Sequence, residues 1–363
     1  MTRLGDLGEF ELIRRLLAAG GPNASASDAA LNAGGRGSAG RPARPDATDP
    51  AASIRVGPGD DAAVVLPEPG RDLVVTTDAF ILGRHWLDGW IEPHALGARL
   101  ARANLSDLAA MAARPRWATV SMGLAASREV AWVEAIQAGL AAALAADGAS
   151  LIGGNIIAVE HEDWLGLTLI GDARPGLVWT RSGARPGDFL AVTGHPGRAG
   201  AAVALIRALG EPARATDWQP LLEAWAAPVS RVDLARALAA SGAVTAAIDT
   251  SDGVGGDLSH LCDASGVGAV VEARGWQADP ALAAAARRLG RDVRDLRLGA
   301  SDDYELLMAV DPERAAHAEA VAREARVPWS LVGRITAAPS VLEWVEADGR
   351  RTLIEHTGYD HFG

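Results

Sequence analysis

The segment Asp72–Asp78, Asp-Leu-Val-Val-Thr-Thr-Asp, is an apolar run that ends on two hydroxyls and a carboxylate. Such a run reads as a strand, so the fold must accommodate a strand whose end is rich in oxygen donors. Just before it, Gly59-Asp60-Asp61 leads into the apolar Ala62–Val65, and Pro67-Glu68-Pro69-Gly70 reads as a turn. The two apolar runs are expected as a hairpin or as near neighbours, with Asp61 and Asp78 towards one patch. Two carboxylates about 4 Å apart repel by roughly 4 kcal/mol at an effective dielectric of about 20. A proton or a divalent cation between them relieves that repulsion. The same residues also fit plain turn and strand-end chemistry.

The chain has 363 residues, enough for two domains with sizeable cores. Its net charge of −12 argues against nucleic acid as a general partner. An anionic substrate then needs cations brought by metal or placed locally by Arg. The single cysteine, Cys262, excludes an intrachain disulfide and a Cys-based zinc site, and it fits a reducing compartment. No apolar run is long enough for a membrane span, and Met1–Gly20 reads as an amphipathic helix without a signal-peptide core. The expected location is the cytoplasm.

Residues 21–52 are mostly Ala, Gly, Ser, Pro, Asn and Asp with almost no large apolar side chain. That composition buries too little surface to offset ordering entropy, so it reads as a mobile insertion. After the acidic stretch comes Gly83-Arg84-His85-Trp86, just past a strand end; a lone His there fits packing as well as ligand contact. Pro93–Ala113 is expected as a helix, with Leu100, Asn104, Asp107 and Met111 on one face. Asp107 on that face needs a partner if buried, or meets water if the face is only half buried. Strands are expected at Trp117–Leu124 and Trp164–Gly171, with a helix at Val130–Ala146 stopped by Asp147-Gly148. Ala149–Gly153 reads as a short strand entering a Gly153-Gly154-Asn155 turn, where backbone can approach a ligand closely.

The composition changes at the basic connector Thr180–Asp188, and the domain boundary is placed just before it, giving units of 1–172 and 173–363. Phe189–Thr193 is a strand, and Gly194-His195-Pro196-Gly197 opens the helix Arg198–Leu209. A glycine-rich turn at a helix N-terminus can hold phosphate, although the pattern is neither a P-loop nor a dinucleotide fingerprint. The strand Val244–Ile248 ends in Asp249-Thr250-Ser251-Asp252-Gly253, and a helix follows. Backbone N–H groups there can face phosphate oxygens while carboxylates hold magnesium, and a helix cap is compatible with both.

Taken in order, Gly59-Asp60-Asp61-Ala62, Thr76-Thr77-Asp78, Gly83-Arg84-His85-Trp86, Asn104-Leu105-Ser106-Asp107, Gly153-Gly154, Thr180-Arg181-Ser182-Gly183, Asp249-Thr250-Ser251-Asp252-Gly253, Asp303-Tyr304-Glu305-Leu306 and Gly358-Tyr359-Asp360-His361-Phe362 resemble the thiamine-monophosphate kinase family. That family sits in an ATP-dependent superfamily with aminoimidazole ribonucleotide synthase. The resemblance runs from Gly8 to the end and leaves out residues 21–52. It implies an α/β (α+β) fold of two domains like aminoimidazole ribonucleotide synthase. The N-terminal sheet would pair across a homodimer, and ATP would lie between the domains. It also implies roles. Asp61, Thr76, Thr77, Asp78, Asp107, Asn155, Asp249 and Asp252 match magnesium positions. Gly154, Asn155, Arg181 and Ser251 match ATP contacts, and His85, Asp302 and Tyr359 match contacts to thiamine monophosphate. Asp78, Asp107 and Arg181 would be the residues nearest the transferred group.

Two positions depart from the family pattern. Asn155 stands where an Asp magnesium ligand is usual, which removes one negative charge. Asp302 stands where Glu is usual, which shortens the reach to the substrate. These departures leave open a relative of the same superfamily acting on another phosphorylated acceptor.

Overall fold

The computed structural model describes residues 2–7, 9–19, 51–58 and 62–354. The chain divides into two units, residues 1–108 with 114–175, and residues 109–113 with 176–363. Asp61, Tyr359 and most of the expected insertion lie outside the described residues.

The first unit runs α1 (Glu9–Ala19), β1 (Ile54–Val56), β2 (Val64–Val65), β3 (Asp72–Ile81), α2 (Pro93–Ala110), β4 (Arg114–Ala125), α3 (Val130–Ala146), β5 (Ser150–Val159) and β6 (Trp164–Ala173). Its sheet has the order β3-β6-β4-β5, with β4 and β5 parallel and the other pairs antiparallel. Strand β3 alternates. Phe80 is fully buried, whereas Leu73 and Val75 on the other face are 54% and 63% exposed. Helices α2 and α3 meet without side chains between them. A Cβ on Gly97 would stand 1.9 Å from the Ile136 carbonyl oxygen, and one on Gly139 would stand 1.8 Å from that of His94. Only glycine allows backbones this close.

The second unit runs β7 (Phe189–Thr193), α4 (Arg198–Leu209), α5 (Gln219–Ala226), α6 (Val232–Ser241), β8 (Val244–Asp249), α7 (Val254–Ser265), β9 (Gly268–Glu272), α8 (Pro280–Leu289), α9 (Val293–Leu298), β10 (Leu306–Val310), α10 (Ala315–Glu324), β11 (Trp329–Thr336), β12 (Leu342–Val345) and β13 (Arg351–Leu353). Its seven-stranded sheet has the order β13-β12-β9-β11-β7-β10-β8, antiparallel except for the β9–β12 pair. Val192, Ile248, Leu258, Leu307 and Val332 belong to the core on this sheet. The mixed α/β class is as the sequence indicates. No helix among the described residues is long and apolar enough to cross a membrane.

Three local expectations are corrected. The hairpin between residues 62–65 and 72–78 does not form: β2 pairs with β1, and β3 pairs over its whole length with β6. A ten-residue strand gains more ladder hydrogen bonds from an equally long partner than from the two residues of β2. Gly153-Gly154-Asn155 is not a turn but lies inside β5, paired with Thr119, Val120 and Ser121 of β4. The register slips by one residue just before Gly153, the kind of bulge that glycine accommodates. The N-terminus of α4 is no phosphate site. The Asp303 carboxylate already accepts the Gly197 and Ala199 N–H groups at 2.6 and 3.0 Å, so the donors a phosphate would need are taken.

Candidate functional site

In the first unit, the inward face of β3 meets α2. Thr76 donates its hydroxyl proton to Asp107 Oδ2 at 2.5 Å. Both residues are half-buried, so the expected need of Asp107 for a partner is met by this short charge-assisted bond. Thr77, on the other face, donates to the Leu167 carbonyl oxygen and accepts from Thr168. Asp78 is half-buried two residues along from Thr76, and its Oδ1 accepts the Ala79 N–H at 2.8 Å. The strand thus aligns Thr76 and Asp78 on the face that carries Asp107.

His85 follows the end of β3. Its ring stacks on Phe80 with centroids 5.5 Å apart and planes 5° from parallel. Its Nδ1 accepts the Ile81 N–H at 3.0 Å, so the neutral ring carries its proton on Nε2. The Arg99 guanidinium donates to the His85 carbonyl oxygen and lies 5.0 Å from the centre of the Phe80 ring. The side chain is therefore held in one orientation.

A cleft opens where β5 passes α1 and α3. Its walls include Ile13, Leu16, Met122, Gly154, Asn155 and Ile156, and it holds about 570 Å³ of empty space, open solvent at its mouth included. Gln137 of α3 also lines it. This side chain is 5% exposed, and its Oε1 has no hydrogen-bond partner. An apolar cleft with one unsatisfied acceptor suits a flat heterocycle that carries an N–H donor. Sequence reading missed Gln137, because a glutamine on a helix looks like a surface residue until packing buries it.

In the second unit, the turn between β8 and α7 is laced to the segment before β10. Thr250 N–H donates to the Glu305 carbonyl oxygen at 2.8 Å, and Tyr304 N–H returns to that of Thr250 at 2.8 Å. Asp302 N–H donates to the Ser251 carbonyl oxygen at 3.1 Å. Asp302 and Tyr304 are both left-handed, with φ of 77° and 54°. Such backbone is costly for a non-glycine residue, most of all for a bulky one like Tyr304, and persists where surrounding bonds hold it. Those bonds come from Asp303, whose carboxylate ties to α4, and from Glu305, which receives two bonds from Arg231 at 2.6 Å and one from Thr193. Burial pushes the Asp303 carboxyl up to about 6, against the pull of its two backbone donors.

Asp249, Ser251 and Asp252 thus stand on one fixed turn, with Asp249 buried and Ser251 and Asp252 half-buried. Asp257, in the first turn of α7, is a further acid at the same place. Burial and then the neighbouring Asp249 and Asp252 carboxylates push it up to about 8, while Arg181 and an N–H bond from Asp252 pull it down. Arg181 is exposed, and its carbonyl oxygen accepts from Ser265.

The sequence-marked residues therefore gather as Thr76, Asp78 and Asp107 in the first unit, as Gly154 and Asn155 on the cleft, and as Asp249, Ser251, Asp252 and Asp302 in the second. Among the described residues, no three His, Cys, Asp or Glu side chains are already arranged to hold a metal ion. The donor chemistry nevertheless fits a hard divalent cation. It consists of carboxylate and hydroxyl oxygens, and one buried carboxylate oxygen, Asp257 Oδ2, lacks a partner. Magnesium takes few protein oxygens and keeps several waters. The thiol of Cys262 is no competing ligand, since burial pushes it up to about 12.

Comparison with known proteins matches both units. Residues 59–173 fit the model of the AIR synthase related protein N-terminal domain, and residues 185–345 that of the C-terminal domain. The chain is 34% identical to the thiamine-monophosphate kinase of Salmonella typhimurium over 311 residues, 85% of this chain and 92% of that protein. Among solved structures, the thiamine-monophosphate kinase of Stenotrophomonas maltophilia superposes with a TM-score of 0.73 at 33% identity, covering 82% of this chain and 92% of that one. A structure described as AaThiL complexed with AMPPCP and TMP superposes with a TM-score of 0.71 at 25% identity, covering 82% and 89%. With likeness of this extent through both units, the chain belongs to the thiamine-monophosphate kinase family.

Proposed function

We propose that this chain transfers the γ-phosphoryl group of ATP to thiamine monophosphate, giving thiamine diphosphate and ADP. The observation that carries the reading is the likeness, over 82% of the chain, to a protein solved with both AMPPCP and TMP. The oxygen-rich patches and the cleft at Gly154 and Asn155 lie on that shared fold.

The chemistry suits the residues. The acceptor is a phosphate monoester, already ionised at pH 7, so its oxygen attacks without a strong general base. What the protein must supply is alignment and relief of anion–anion repulsion. Magnesium, if bound, would supply neutralisation of charge on the phosphates. Asp61, Thr76, Thr77, Asp78, Asp107, Asn155, Asp249 and Asp252 are the oxygen donors assigned to hold it. Thr76 aligns Asp107 through their hydrogen bond. Gly154 lets the nucleotide approach β5, and Gln137 Oε1 accepts a proton donor from the base. Arg181 and Ser251 contact the ATP phosphates, with Arg181 offering a planar fork of donors. His85, Asp302 and Tyr359 hold thiamine monophosphate, with His85 already oriented by Phe80 and Ile81.

The working unit is assigned as a homodimer. Leu73 and Val75 leave an apolar stripe on the edge strand β3, which a second copy of the sheet would cover. The division of labour is assigned to residues 1–172 and 173–363, and the location to the cytoplasm.

The test is a coupled assay of the purified protein with ATP, Mg2+ and a panel of phosphate-bearing acceptors that includes thiamine monophosphate. Thiamine diphosphate is the expected product. A protein that binds ATP and magnesium yet makes no thiamine diphosphate rejects the assignment. Turnover of another acceptor in the panel would trace to the shorter Asp302 and the uncharged Asn155.

A further inference from the structure

Ser265 is the last residue of α7, yet its hydroxyl does nothing for that helix. The helix end is finished by Gly266, left-handed at φ 66°, and the backbone N–H bonds there return to the Asp263 and Cys262 carbonyl oxygens. Serine is no strong helix former, because its hydroxyl competes for backbone groups. Here the hydroxyl is spent on a segment more than eighty residues away in the chain. It donates its proton to the Arg181 carbonyl oxygen at 2.9 Å and accepts the Ala184 N–H at 3.2 Å.

Those two backbone groups stand at positions i and i+3, the pair that a β-turn often joins directly. Here the serine oxygen stands between them. The rest of the segment is held from β8. The Ala247 N–H donates to the Thr180 carbonyl oxygen at 3.0 Å. Gly183, at φ 119°, passes so near the strand that a Cβ would lie 2.5 Å from the Thr245 carbonyl oxygen. Strand β8 thus fixes residues 180 and 183, and Ser265 grips the backbone of 181 and 184 from α7. The Arg181 side chain is exposed, so its placement follows from this backbone rather than from side-chain packing. Ordering a long side chain and its loop at the moment of binding costs affinity, and a loop already held avoids that cost.

We propose that Ser265 is a positioning residue for Arg181: its hydroxyl bridges the Arg181 carbonyl oxygen and the Ala184 N–H, and so presents the guanidinium to the phosphates of the nucleotide. The inference rests on the assignment of Arg181 as an ATP contact and is independent of which acceptor is phosphorylated. Helix α7 starts just after the turn that carries Ser251, another assigned phosphate contact, and ends at Ser265. One helix therefore supports both contacts, one at each end.

Threonine and valine have nearly the same shape and differ in the hydroxyl, so Ser265→Thr and Ser265→Val separate the bridge from the bulk. The probe is AMPPCP with Mg2+, titrated calorimetrically into the full chain with Arg181 intact and in an Arg181→Ala background. Ser265→Thr should bind within about twofold of the unaltered chain and Ser265→Val about three- to tenfold more weakly, with the two variants melting alike. In the Arg181→Ala background the Ser265→Val change should cost nothing further, because the serine acts through that side chain. Ser265→Val that binds within about twofold of the unaltered chain overturns the proposal. So does Ser265→Thr as weak as Ser265→Val, which would put the fault in bulk. An equal loss with Arg181 absent overturns it as well, since Ser265 would then be a general brace. Arg181→Ala that binds as tightly as the unaltered chain overturns it and removes Arg181 from the nucleotide contacts. An unaltered chain that takes up no AMPPCP defeats the nucleotide reading itself and this proposal with it. A chain that binds AMPPCP as expected but makes no thiamine diphosphate defeats the kinase assignment and leaves the role of Ser265 standing.

Discussion

Replacing Gln137 by Met should make the empty protein more stable and the nucleotide complex weaker. Gln137 is 5% exposed with an unpartnered Oε1. Met has nearly the same length and flexibility and carries no buried polar group. Removing an unsatisfied buried acceptor recovers part of its desolvation cost of about 1–3 kcal/mol. A net gain of about 1 kcal/mol corresponds to roughly 2–4 °C in melting temperature for a unit of this size. The bound state responds in the opposite sense. A neutral hydrogen bond to the base contributes about 0.5–1.5 kcal/mol, so Kd for the nucleotide should rise about 2- to 13-fold. The assays are a thermal melt without nucleotide and a calorimetric titration with AMPPCP in Mg2+. A variant that melts lower, or that binds AMPPCP as tightly as the unaltered chain, refutes the assignment of Gln137 to the base. A local packing defect would lower both quantities together, so the crossed signs are the diagnostic.

Further outcomes follow from the same geometry. Asp257 stands at about 8 in the fold against an ordinary 3.8, so the folded state keeps a proton that the unfolded chain has released. Its stabilising contribution is full below about pH 3.8 and is lost as pH rises through 8, with a slope of at most about 1.4 kcal/mol per unit. Metal-free urea denaturation of the unaltered chain and Asp257→Asn between pH 5 and 8 should show curves that diverge with pH, and parallel curves would contradict the placement. Asn155→Asp restores a carboxylate on β5 and should lower the Mg2+ concentration needed for half-maximal rate; an unchanged Mg2+ dependence would remove Asn155 from the ligand set. Arg231→Met strands Glu305 in a buried site where both oxygens now accept from the guanidinium. It should cost about 3–5 kcal/mol, read as a large fall in the urea midpoint of the second unit.

Much of the fold can be read locally. Val130–Ala146 and Arg198–Leu209 are helices at the expected bounds, and Phe189–Thr193 is a strand at its own, because each has a strong pattern and a clear stop signal. What escapes the sequence is what depends on distant partners. The pairing of β3 with β6 joins residues about ninety positions apart, as in Thr77 with Thr168, and nothing between Val65 and Asp72 encodes it. Gly153-Gly154 carries a turn signal that parallel pairing with β4 overrides. The glycine-rich turn before α4 looks open in the sequence, but in the fold the Asp303 carboxylate, more than a hundred residues on, takes its Gly197 and Ala199 donors. In the candidate site, oxygen-rich runs such as Thr76-Thr77-Asp78 and Asp249–Asp252 are conspicuous. Gln137 and Asp257 are not, because their importance lies in burial and an unmet bond rather than in residue type.

The glycine contact between α2 and α3 carries a consequence beyond packing. Asp107 rides on one of these helices and Gln137 on the other, and with carbonyl oxygens seated against Gly97 and Gly139 neither can slide past its neighbour. The two helices behave as a single ruler that sets the spacing between Asp107 and Gln137, the residues proposed above as an oxygen ligand and a base contact. An alanine at either glycine would leave every chemical group of the site in place, yet it would spread the ruler and disturb phosphate and base together.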